Sequence, residues 1–261
     1  VHLLRSPGGC PWDMKQTHES IRRNFIEETC EAVEAIDQKD TLHLREELGD
    51  VLMQVLFHAD IENDAGRFDI NDVADAACKK LVERHPHVFG HASLDNTTQV
   101  TETWDDIKRR QNGHRTTYQA MESVARTLPA LWRADKILAK AEKAGFKWPD
   151  VGGSMLKLKE EVSELEQAID ENLNTKEEEL GDLLLAAVSV ARQLDTDPEQ
   201  ALNNACEKYM DRFRRLEELV SKKSVDMKDC TLEQLVGMWE QAKKMGGEPE
   251  LKNGGCRNEQ I

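Results

Sequence analysis

Along most of the chain apolar residues recur every three or four positions, the period of a helix with one buried face. Leu48, Val51, Leu52, Val55, Leu56 and Ala59 form one such stripe. Leu180, Leu183, Leu184, Ala187, Val188 and Ala191 form another, and each is expected to face a core. Further helices are expected over 72–84 and from Pro198 to Glu218, the latter with Asp197 as N-cap and Pro198 at its first position. Strand alternation is missing, and no Asn-Gly turn lies between alternating apolar runs.

The pattern occurs twice. FIEETCEAVEAID at 25–37 matches LKEEVSELEQAID at 158–170, and EELGDVL at 46–52 matches EELGDLL at 178–184. Cys78 to Arg84 matches Cys206 to Arg212, and Trp104-x3-Lys108 matches Trp239-x3-Lys243. Four features in one order at nearly one offset indicate a duplicated domain; two copies are too few for a solenoid. The expected fold is all-α, with two tandem helical bundles of about four helices each. The boundaries are 1–112 for the first domain, a polar linker over 113–127, 128–245 for the second domain, and a disordered Gly-rich tail over 246–261. Trp12 and Trp148 are expected to pack the start of each domain. His85 and His87, flanking Pro86, read as structural.

Composition narrows the function. With 35 Lys and Arg against 50 Asp and Glu, the net charge is −15. That excludes a general nucleic-acid backbone binder but leaves phosphorylated ligands open, because a divalent metal inverts local charge. No apolar run reaches the roughly 20 residues of a membrane span. Six isolated cysteines, none in a C-x-x-C pair, suit a reducing cytoplasm rather than a zinc ribbon or redox site.

The acidic residues carry the chemistry. Glu28 and Glu31 are three apart on one helix face, as are Glu47 and Asp50 on the next helix. Glu161, Glu164, Glu179 and Asp182 repeat the arrangement. If the two helices pack antiparallel, four carboxylates converge, and a hard cation such as Mg²⁺ relieves their repulsion. A single Glu-x-x-Glu is more often a solvated face. Gly49 and Gly181, each costing about 1 kcal/mol inside a helix, favour the functional reading by implying close approach of a neighbour or ligand. Glu-x-x-His di-iron spacing, His-Asp dipeptides, EF-hand spacing and Walker A loops are absent.

These acids, with Gly9-Cys10-Pro11-Trp12-Asp13-x-x-Gln16-Thr17 and Arg84-His85-Pro86-His87-Val88-Phe89, make the chain resemble the MazG nucleotide pyrophosphohydrolases over both halves. The resemblance implies an all-α cytoplasmic homodimer that cleaves nucleoside triphosphates between the α and β phosphates, with Mg²⁺ (Mn²⁺ as the alternative ion) and broad base tolerance. No nucleic-acid or membrane partner is implied. It also implies that the C-terminal half is catalytic, with Glu161, Glu164, Glu179 and Asp182 holding metal and Glu160 or Glu161 orienting water. Lys157, Glu178, Lys208, Arg212, Trp239 and Lys243 then contact substrate. Glu28, Glu31, Glu47 and Asp50 form a second, weaker or vestigial metal set. The competing structural readings are a Lys157–Glu161 surface pair and a core Trp239. The competing functional reading is a helical dimeric scaffold or nucleotide-binding regulator with solvated acidic faces. Two differences separate the halves: Asn24 stands where Lys157 does in the second, and the first breaks its helix after Arg84. Thr175 occupies a position where the family often has Lys.

Overall fold

The computed structural model describes residues 1–90 and 116–245. Among these every regular element is helical. The chain divides into two compact units, Val1–Ile107 and Lys108–Ile261. The tail over 246–261, Trp104 and most of the first domain boundary lie outside the described residues.

In the first unit, α1 (His18–Gln38) starts at a Thr17–Ser20 capping box. It ends at Lys39, whose φ of 58° turns the chain. Asp40 then caps α2 (Thr41–Asp64), accepting from the Leu42 and His43 N–H groups at 3.0 Å each. Because only Lys39 and Asp40 separate the helices, α1 and α2 fold back as an antiparallel hairpin. Small residues, Ala32, Ala35 and Ala59, with Ile21 and Phe57, form the buried seam. Helix α3 (Ile70–Arg84) follows an Asp69–Asp72 capping box and stops at His85, where Pro86 opens a separate short turn.

The open end of this hairpin is closed by Glu62. Its Oε1 lies 2.5 Å from His18 Nε2 and accepts from Arg67 Nη2 at 2.7 Å, while Arg67 Nε donates to its other oxygen. Arg67 first, then His18, hold the Glu62 carboxyl down to about 2. A lowered carboxyl contributes stability above its unfolded value near 4.5 and loses it as pH falls toward 2. Urea midpoints of the wild type are therefore expected to fall between pH 5 and pH 3 more steeply than those of Glu62→Gln. Parallel curves would remove this lock from the acid response.

In the second unit, a short helix at Thr117–Glu122 packs on α4 (Ala130–Lys143). The segment read from the sequence as linker is thus helical at 117–122, because Thr116 and Gln119 form a capping box. Helices α5 (Val151–Asp170) and α6 (Lys176–Gln193) make the second hairpin. Then α7 (Pro198–Lys222), opened by Asp197 and Pro198 as expected, pairs with α8 (Leu232–Met245) around Leu216, Val220 and Met238.

Three expectations change. The two apolar stripes do not face a core throughout: Leu48, Leu52, Leu180 and Leu184 are 54, 56, 47 and 50% exposed, whereas Ala59 and Val188 are buried. A two-helix hairpin buries only the strip where the helices touch, so the flank of a wide stripe is left outside. Trp12 is 62% exposed and does not pack the start of its domain; Trp148 is partly exposed, its ring lying over Gly153. A Cβ on Gly49 or Gly181 would meet nothing within 4 Å, so no helix of the described chain approaches either one closely. Gly181→Ala is accordingly expected to raise unfolding free energy by about 1 kcal/mol in denaturant titration.

Candidate active site

The hairpins turn sequence spacing into two carboxylate clusters. In the second unit α5 supplies Glu161 and Glu164 from successive turns, and α6 supplies Glu179 from its first turn. One oxygen of each lies within 4.8 Å of the others. Glu28 and Glu31 on α1 and Glu47 on α2 form the matching cluster in the first unit, within the same distance. The fourth acids stand aside from these trios. Asp50 is near enough to Glu28 to raise its carboxyl, and Asp182 is exposed one turn beyond Glu179.

The clusters differ in the nitrogen group that meets the buried acid. In the second unit Lys157 Nζ donates to Glu160 Oε1 at 2.6 Å and contacts Glu161 Oε1 at 2.7 Å. Those two acids, Glu160 foremost, hold the Lys157 ammonium well above its ordinary range. Glu161 is 5% exposed, while Glu160 and Glu164 face solvent. In the first unit, with Asn24 in the place of Lys157, the neighbouring group comes from the other helix of the hairpin: His43 Nε2 lies 2.9 Å from Glu47 Oε1. His43 occupies the repeat position of Thr175 and was missed by sequence reasoning, although its spacing of four before Glu47 on one helix was a usable signal.

Charge crowding is visible in the carboxyls. Glu28 is raised by loss of water first, then by Asp50, Glu31 and Glu47. Glu47 is raised by loss of water and by Glu31, against His43. Glu164 is raised by loss of water around its carboxylate, with Glu161 and Glu160 adding against Lys157. The buried Oε2 of Glu47 has no hydrogen-bond partner. An all-carboxylate donor set, mutual repulsion and an orphaned buried oxygen fit a hard divalent cation, which takes oxygen ligands and retains water.

Of the remaining expected substrate contacts, all but Glu178 lie on a different helix pair. Lys208 is exposed and Arg212 half-buried on α7; Trp239 and Lys243 are on α8. Trp239 is half-buried against the Leu216–Val220–Met238 core, with its ring centroid 5.1 Å from that of Tyr209. It therefore has the core contact that one reading gave it while staying partly exposed. Lys243 Nζ donates to Glu240 Oε1 at 2.6 Å. Glu178 is exposed in the first turn of α6. The fold thus gathers Glu161, Glu164, Glu179 and Lys157 on α5 and α6, and the Lys208, Arg212 and Trp239 group on α7 and α8.

Comparison with known proteins matches both hairpins to one family model, described as the MazG nucleotide pyrophosphohydrolase domain, over residues 16–89 and 153–216. The chain is 43% identical to the nucleoside triphosphate pyrophosphohydrolase/pyrophosphatase MazG of Thermotoga maritima, over 93% of this chain and 92% of that protein. It is 41% identical to the nucleoside triphosphate pyrophosphohydrolase of Escherichia coli, over 94% of each chain. It is also 42% identical to the uncharacterized protein YabN of Bacillus subtilis, over 94% of this chain but 50% of that longer protein.

Proposed function

Because this chain belongs to the MazG nucleotide pyrophosphohydrolase family, we propose that it cleaves nucleoside triphosphates between the α and β phosphates, releasing monophosphate and pyrophosphate. The supporting observation is the recurrence of a converged carboxylate trio on each hairpin, each with one buried acid held by a nitrogen group, His43 at Glu47 and Lys157 at Glu161. Glu161, Glu164 and Glu179, with Asp182 one turn on, would hold Mg²⁺, or Mn²⁺ in its place. The ion, when bound, supplies charge neutralisation at the phosphates and an activated water.

The protein's own groups do the positioning. Lys157 fixes the orientation of the buried Glu161 through their 2.7 Å contact and brings a positive charge beside it. Glu160, exposed beside it, is placed to orient water. Lys208 and Arg212, one turn apart on α7, offer cationic donors to the β and γ phosphates, and Trp239 offers a ring edge to the base. Broad base tolerance, for ribose and deoxyribose nucleotides alike, follows from recognition concentrated on phosphates. The second unit is the main site: α7 runs unbroken from Pro198 past Arg212 to Lys222, whereas α3 ends at Arg84.

The chain works as a homodimer in this reading, supported by the exposed leucines of α2 and α6. The five described cysteines are free thiols, which suits a reducing compartment such as the cytoplasm. No described helix is long and apolar enough to cross a membrane.

Incubation with UTP, dTTP and ATP, with Mg²⁺ or with chelator, tests the proposal. Pyrophosphate and monophosphate should appear only with the metal. Orthophosphate as the first product, or turnover indifferent to chelator, would refute it.

A further inference from the structure

Each unit ties the segment before its hairpin to the hairpin's second helix through a partly buried arginine–carboxylate pair, and the two pairs have opposite polarity. In the first unit the cation is on the leading segment. Arg5 Nε donates to Asp60 Oδ2 and its Nη2 to Asp64 Oδ2, both at 2.8 Å. Its Nη1 donates to the carbonyls of Asp13 and Gln16 at 3.2 and 3.4 Å, and His2 Nδ1 lies 2.9 Å from Asp60 Oδ1. The Arg5 and Asp60 side chains are 6 and 10% exposed.

In the second unit the cation is on the hairpin. Arg192 of α6 donates from Nε and Nη2 to the two oxygens of Glu142 at 3.1 and 2.6 Å. Its Nη1 donates to the Asp135 carboxylate at 2.6 Å and to the Asp135 carbonyl at 3.0 Å. Asp135 and Glu142 belong to α4, the leading helix. Asp60 and Arg192 hold one and the same repeat position, each ten residues beyond the Asp of its Glu-Leu-Gly-Asp step.

Duplicated hairpins offer near-identical docking ends for a leading segment, so a chain of two such units risks pairing the wrong one. We infer that the inverted ion pair is a docking code: the Asp60–Asp64 end accepts a basic leading segment, and the Arg192 end an acidic one. Exchange, within the chain or with a second copy, would set Arg5 against Arg192 and Glu142 against Asp60. Like charges forced together in a half-dry seam are strongly disfavoured, and repulsion against the wrong partner is how such interfaces gain specificity. The hydrogen-bond fork of each arginine also fixes the angle of docking, which a bare charge would not.

The full-length chain tests this. Asp60→Arg alone breaks the first pair and should lower the melting midpoint of that unit by about 10 °C or more. Arg5→Asp/Asp60→Arg should recover most of that loss while giving both hairpins a basic end. After refolding from urea over a range of concentrations, this double variant should show cross-links between residues 130–143 and 41–64 that are more abundant than in the wild type treated alike, found by mass spectrometry. Glu142→Arg/Arg192→Glu, which makes both ends acidic, provides the reciprocal test and should show cross-links between 1–16 and 176–193. The code is overturned if the double variants melt no higher than the single reversals. It is equally overturned if both refold with the wild-type cross-link pattern and yields at every concentration.

Discussion

Replacing Glu161 with Gln is expected to lower turnover at least about a hundredfold while the chain stays folded. Glu161 is the buried member of its trio, and Lys157 holds one of its oxygens. The amide keeps the volume but removes the charge that would meet the metal, so stabilisation of charge on the phosphates is lost. Asp182→Asn should act in the same direction. The matching changes in the first unit, Glu28→Gln and Asp50→Asn, should cost much less, since Asn24 replaces Lys157 there and α3 stops at Arg84. Pyrophosphate release at saturating nucleotide is the readout, with thermal melting alongside. Metal-free melting should stay level or rise, because an acid has left a repulsive cluster. Turnover abolished by Glu28→Gln and spared by Glu161→Gln would move the catalytic site to the first unit.

The second large effect concerns assembly. Leu180→Glu/Leu184→Glu is expected to turn the proposed dimer into a monomer in sedimentation velocity. Both leucines lie on the exposed flank of α6, where the single chain gives them little cover. Burying a leucine contributes about 1.5–3 kcal/mol, and a twofold interface counts each twice. The same exposure means that the fold of the monomer should barely notice the change. A double variant that still sediments as a dimer would place the interface off this face.

The sequence carried the helical class, the duplication and the acids of the site. Periodicity is a local property, and Glu-x-x-Glu on one helix already puts both carboxylates on one face. The caps were legible for the same reason: Asp197 and Pro198 open α7 because their side chains act on their own turn. The same holds for His43, whose imidazole four residues before Glu47 on one helix is a local signal that Thr175 does not repeat in the second unit.

Tertiary structure decided what local pattern leaves undetermined. The stripes at Leu48–Ala59 and Leu180–Ala191 do not say how much of their width a neighbour covers, and Leu52 and Leu184 are outside because the hairpin contact is narrow. Spacing does not say that Glu161 is buried while Asp182 is exposed, since that depends on which turn of α5 faces α6. Nor does it separate Lys208, Arg212 and Trp239 onto another helix pair. The inverted pairs at Arg5–Asp60 and Glu142–Arg192 join residues 55 and 50 positions apart. A helix fixes its own faces through bonds four residues long; which face meets which neighbour is settled only when distant segments compete for the same buried surface.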